Sequence, residues 1–229
     1  MLAVVPARGS LVALLVFLAS CGSSAASSTT DASSAGRSAP SAHPGKLADC
    51  GPAAAATLAA NRYVRVYALH DAVYGCSVAK GKDFRLGHAT RSIAEARVSP
   101  VAVVGELAAY GLARFGVDTG QTSVVVRRLT DGAQLNEFAA TQAVGAESFQ
   151  SVGSIVVRPD GAVAWIATNY SIIGGGHGTV EVHAADSRGD RVLDRAPSHP
   201  ERIDPTSLRL VGSTLAWTDA GVTHHALLR

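Results

Sequence analysis

Long apolar runs are missing from this chain. The longest, Leu11 to Leu18, falls far short of the ~20 residues that a membrane-spanning helix needs, so a permanent transmembrane segment is not expected. Lysine is scarce, with Lys46, Lys80 and Lys82 the only three, and no basic cluster exceeds Arg127-Arg128. With 20 basic against 18 acidic residues, neither a nucleic-acid partner nor a polybasic membrane patch is indicated. No long window carries an apolar period of 3.6 residues, which argues against a helical protein. Gly-x-Ser-x-Gly, His-Glu-x-x-His and Cys-x-x-Cys are absent too, and no cofactor or metal motif stands in their place. Those absences remove the hydrolases and zinc sites that a local motif announces. An enzyme whose residues come from separate loops would leave no such mark.

Cysteine is rare as well, and the three present divide into one plus two. Residues 1–20 have the parts of an export signal: Arg8, the apolar Leu11 to Leu18, and the small pair Ala19-Ser20. Leu18-Ala19-Ser20-Cys21 resembles the lipobox of bacterial lipoproteins, in which the cysteine thiol takes a diacylglyceryl group and becomes the mature N-terminus. That resemblance implies a membrane partner through lipid on Cys21, with two or more acyl chains needed for a stable anchor. Ordinary cleavage near Ser24-Ala25-Ala26, giving a secreted protein, is the alternative. Residues 21–46 are rich in Ser, Ala, Thr, Gly and Pro and hold too little apolar surface to offset ordering, so they read as a tether. Flexible chain of that length reaches roughly 25–30 Å. Cys50 and Cys76 remain, and in an exported setting a disulfide between them is expected, with free thiols or a metal pair as the alternatives.

From Leu47 to Arg229 the chain reads as a single all-β domain. Short runs rich in Val, Ile, Tyr, Trp and Thr recur about every ten residues between Gly, Asp and Pro turns. Tyr63 to Tyr67, Val101 to Val104, Val124 to Val126, Ile155 to Val157 and Val180 to Val182 are the clearest. Ala53 to Ala60, after Pro52, is expected to form a short helix. Three glycine turns open strands that end Ala-aromatic: Gly105 with Tyr110, Gly161 with Trp165, and Gly212 with Trp217. A second hairpin follows the same beat, through Asp131-Gly132 and Arg188-Gly189-Asp190, with Gly81 a third copy. Val163 to Ala167 has no polar position, so that strand is expected to be covered on both faces. Stacked antiparallel sheets satisfy this requirement, and the period leaves room for barely more than three of them.

Pro159-Asp160-Gly161-Ala162-Val163-Ala164-Trp165 resembles the turn-strand signature of TolB-like β-propellers. The resemblance implies a small or incomplete propeller-like fold, with a β-sandwich as the alternative architecture.

Candidate chemistry is thin. Asp118-Thr119-Gly120 resembles the aspartic protease signature, but that mechanism needs two carboxylates and no second copy is present, so a turn is expected. Gly174 to Gly178 leads into a strand rather than a helix, so a hairpin loop is expected there in place of a phosphate cradle. Tyr170 and His177 flank that loop and are the candidate ligand contacts. His224 and His225 are adjacent on a strand and point to opposite faces, whereas Glu181 and His183 share one. Three readings follow: a lipid-anchored extracytoplasmic binding module, a hydrolase or lyase assembled from separate loops, and a structural protein completed by dimerising.

Overall fold

A computed structural model describes residues 50–90, 96–116, 120–142, 148–171, 178–200 and 202–229. These residues are all-β. The strands are β1 (Ala56–Ala60), β2 (Val64–Leu69), β3 (Ala72–Ser77), β4 (Lys82–His88), β5 (Arg97–Val104), β6 (Leu107–Phe115), β7 (Gly120–Arg128), β8 (Gln134–Ala139), β9 (Ser148–Val157), β10 (Val163–Ser171), β11 (Gly178–Asp186), β12 (Gly189–Pro197), β13 (Arg209–Val211), β14 (Thr214–Asp219) and β15 (Val222–Leu227).

They form four antiparallel meanders in chain order: β1–β4, β5–β8, β9–β12 and β13–β15. Single parallel pairs, His88 with Arg97 and Gly120 with Phe149, join the first three into a mixed twelve-stranded sheet that is not closed into a barrel. Four units rather than three fit because the first is short. Tyr67 in β2 matches Tyr110, Trp165 and Trp217 on the second strands of the other meanders, and it precedes Tyr110 by only 43 residues.

The repeated glycines mark these hairpins. Gly105, Gly161 and Gly212 turn the first strand of a meander into the second, and Gly161 does so at φ 91°, a left-handed value that glycine reaches without steric cost. The Gly81, Gly132 and Gly189 turns join third to fourth strands.

Sheet-on-sheet packing explains the strands that lack polar positions. Within β10, Ala164 and Ile166 pack with Val182, Leu215 and Trp217 toward the fourth meander. Val163, Trp165 and Ala167 point the other way, against Val124 and Val126 of the second. All five residues from Val163 to Ala167 are fully buried. A large aliphatic side chain taken wholly from water contributes about 1.5–3 kcal/mol, so these interleaved layers are the main source of stability. The aromatics also satisfy their polar ends: the Trp165 indole N–H donates to the Ala140 carbonyl at 2.8 Å, and that of Trp217 to Asp194 Oδ2 at 2.8 Å.

The expected helix over Ala53 to Ala60 is not formed. Residues 53 and 54 turn, and Ala56 to Ala60 is strand β1, paired with β2. Arg65 supplies the reason. Its guanidinium donates to the Cys50 carbonyl at 2.9 Å and to the Ala55 carbonyl at 2.7 Å, and the latter is an acceptor that the expected helix would have used for its own N–H groups. Beside it the Cys50–Cys76 disulfide, joined across 26 residues, is fully buried with Tyr67 and Val78 on the outer face of the first meander. Burial, and then Asp83, pushes the Tyr67 phenol up to about 12.

Candidate functional site

One lateral row of residues crosses four strands at the same end of the second and third meanders. Register pairs Phe115 of β6 with Gly120 of β7, Gly120 with Phe149 of β9, and Phe149 with Tyr170 of β10. Laterally paired residues project to one side of a sheet, so the row gathers three aromatic rings at one edge. Phe149 and Tyr170 stack with centroids 5.7 Å apart and planes 21° from parallel. Gly120 is what lets the rings close up. A Cβ there would sit 2.8 Å from Phe149 Cδ1 and 3.1 Å from Phe115 Cδ1, too near for either ring to stay in place.

These rings border a cleft of about 150 Å³ between the second and third meanders. Arg97, at the start of β5, and Ser99 line it from the second meander, and Ser151 lines it from the third. Its floor is polar and internally bonded. Thr122 donates its N–H to Gln150 Oε1 at 3.1 Å and its hydroxyl to the Gln150 carbonyl at 2.7 Å. Arg97 is exposed and has no hydrogen-bond or ion-pair partner among the described residues. Tyr170 is 40% exposed, a large apolar surface left open to solvent at the cleft mouth.

A wider cleft of about 430 Å³ is lined by Asn136, Phe138, Asp160, Asp186, Asp190 and Arg229, among others. Its carboxylates are largely spent on internal partners. Asp160 pairs with Arg158 at 3.2 Å, and Asp186 takes both arms of Arg191 at 2.6 and 2.9 Å and the Arg229 N–H at 2.7 Å. The Arg191 guanidinium holds the Asp186 carboxyl far below the usual carboxylate range, against the burial that raises it. Asp160 and Asp186 are thus spent on arginines, and Asp190 lies 3.7 Å from His183 Nδ1.

Behind these carboxylates lies the Glu181–His183 pair, which the structure places in the interior. Both side chains are fully buried, with His183 Nε2 2.8 Å from Glu181 Oε2. Glu181 Oε2 also accepts the Gln142 N–H at 2.9 Å, and Arg195 approaches Oε1 at 2.9 Å. No N–H is aligned on Oε1 for a hydrogen bond, so the Arg195 contact acts through charge. Trp165 stacks on the His183 ring at 4.8 Å, and Phe138 stacks on Trp165 at 5.7 Å. Burial pushes the Glu181 carboxyl up, but the bonds from His183 and Gln142 outweigh it and hold the group below its ordinary value. Sealed between sheets, this pair can fix packing but cannot touch a solute.

Of the sequence candidates, Tyr170 therefore stands at a cleft, and Cys50 and Cys76 form a disulfide. The disulfide points to an extracytoplasmic location. Cys21, Asp118 and His177 lie outside the described residues. Asp118 belongs to the connection between β6 and β7, and His177 to that between β10 and β11. His224 lies against Trp217, while His225 is exposed on the other face of β15. Among the described residues no cluster of three or more His, Cys, Asp or Glu side chains is placed to hold a metal. Sequence reasoning missed Phe115, Phe149 and Arg97. Only Gly120, a glycine where β7 begins, hinted that something bulky must approach the strand.

No family model matches the chain, and no curated protein matches it. Among solved structures, a chain of Kuenenia stuttgartiensis hydrazine synthase is similar at 15% identity with a TM-score of 0.36. The match takes in 68% of this chain and 46% of that one, so this chain spans less than half the length of the protein it matches.

Proposed function

We propose that this protein is an extracytoplasmic binding module, held to a membrane by lipid on Cys21, that seats a ligand on the Phe149–Tyr170 stack. The observation that carries the reading is the aromatic row with its exposed Tyr170, at a cleft where Arg97 has no partner among the described residues and Thr122 is bonded to Gln150. Binding sites are concave, mostly apolar and furnished with a few well-placed polar groups, and this cleft has that make-up. The disulfide supports the exported setting, and the Leu18-Ala19-Ser20-Cys21 motif supports the anchor.

Ring binding is measured on the full chain by saturation-transfer NMR with phenylacetamide as the probe. Transfer is expected in the wild type and is expected to fall at least fivefold in Tyr170→Ala. The melting temperature should hold, because Tyr170 is 40% exposed and packs on one side only. Equal transfer in both proteins would overturn the site. The anchor is tested by metabolic labelling with a fatty-acid analogue: label is expected on the wild type and not on Cys21→Ala, and equal labelling rejects it.

A further inference from the structure

We propose that the ligand of this cleft is a carboxylate carried on a single six-membered ring, with Arg97 pairing the carboxylate while the ring lies on Tyr170 and Phe149. The inference rests on the reading above that the aromatic row is a binding surface, and it adds the ligand's charge and size.

Charge is the first argument. Among the described residues the cleft lining contains one ionisable cation, Arg97, and no aspartate or glutamate. Arg97 is exposed at the cleft and has no hydrogen-bond or ion-pair partner among the described residues, so its guanidinium is open to an incoming anion. A guanidinium presents paired N–H donors in a rigid fork whose geometry matches a planar carboxylate, and a bidentate bond of this kind is among the stronger polar contacts.

The floor gives the second argument. The Thr122 N–H and hydroxyl are both donated to Gln150, so neither is left for the ligand. Recognition of the polar end therefore falls to Arg97, helped by the neighbouring Ser99 and Ser151.

Size is the third. At about 150 Å³ the cleft is well below the 300–1,000 Å³ of sites that take whole cofactors. A cavity of about this volume accepts one benzene-sized ring. The Phe149–Tyr170 stack offers that ring a flat face. Two sources carry the same chemistry: an aromatic acid, stacking ring on ring, or a uronic acid, laying the C–H face of a sugar on the aromatics.

The test uses the full chain and four probes in two matched pairs: phenylacetate with phenylacetamide, and glucuronate with glucose. Titrations are followed by NMR in the wild type, Arg97→Gln and Tyr170→Ala. In the wild type the better acid is expected to bind at least tenfold more tightly than its neutral partner, with a preference that shrinks as salt is added. Arg97→Gln should erase that preference by weakening the acid at least tenfold more than the neutral partner, and Tyr170→Ala should weaken acid and neutral probe alike. Preference for phenylacetate identifies an aromatic acid and preference for glucuronate a uronic acid, and either supports the proposal. If acid and neutral probe bind the wild type equally, or Arg97→Gln keeps the preference, the carboxylate inference is overturned while the aromatic site stands. If no probe binds the wild type, both fail.

Discussion

Glu181→Ala is expected to cost this domain about 3–5 kcal/mol of folding stability, the range seen when one member of a buried ion pair is removed. Glu181 is fully buried on β11 and is the shared acceptor for His183, the Gln142 N–H and the charge of Arg195. Deleting its carboxylate leaves an imidazole, a backbone donor and a guanidinium facing a small void between the second and third meanders. Domains are stable by only about 5–15 kcal/mol, so a loss of this size consumes much of the margin. Glu181→Gln keeps the volume and one acceptor oxygen and should cost less. Denaturant midpoints measure both, and a Glu181→Ala midpoint equal to the wild type would show that the cluster does not hold the sheets together.

The same carboxylate sets a pH dependence of known sign. Its folded pKa lies below the ordinary glutamate value, so the stability it contributes is fully present above the unfolded pKa of about 4.3. That contribution is lost as pH falls from there through the lower folded value. Wild-type stability should therefore decline on acidification below about pH 4.3, and Glu181→Gln should decline less steeply through the same window. Parallel curves for the two proteins would assign the acid loss to other carboxylates.

Removing the disulfide is the second large effect. The double variant Cys50→Ala with Cys76→Ala is expected to lose about 2–5 kcal/mol, and the loop-entropy account for a 26-residue separation falls inside that range. Local structure adds to the argument. Cys50 sits in a segment without regular structure, which Arg65 also ties down by donating to the carbonyls of Cys50 and Ala55 and to the Thr57 hydroxyl. Once the bridge is gone, amide exchange should rise first in residues 50–60, before the other meanders respond. Arg65→Met should loosen the same segment, and combining it with the double variant should cost less than the sum, because both act on one piece of chain. The readout is denaturant unfolding with and without reductant. An unchanged wild-type midpoint after full reduction would rule out a stabilising bridge.

How far the fold was legible follows from which interactions are local. Val163 to Ala167 announces burial on both faces by composition alone, and that strand is buried on both. The turns at Gly105, Gly161 and Gly212 were readable because a hairpin is decided within a few residues of its turn. Ala53 to Ala60 misled because alanine and proline favour a helix locally, while Arg65, from the next strand, claims the carbonyls. Glu181 and His183 were legible only as sharing one face of a strand. Period-two alternation shows that two residues share a face without showing whether another sheet covers it.

The sequence by itself determined most of the strands after β1, their turns and the expected pairing of two cysteines, since each depends on neighbours along the chain or on a count. The tertiary structure alone decided that there are four meanders, that an acid and a histidine lie sealed between two of them, and that Phe115, Phe149 and Tyr170 stand in one row beside Arg97. Those residues are tens of positions apart, and it is strand register, set by packing across the sheet, that brings them within reach of one ligand.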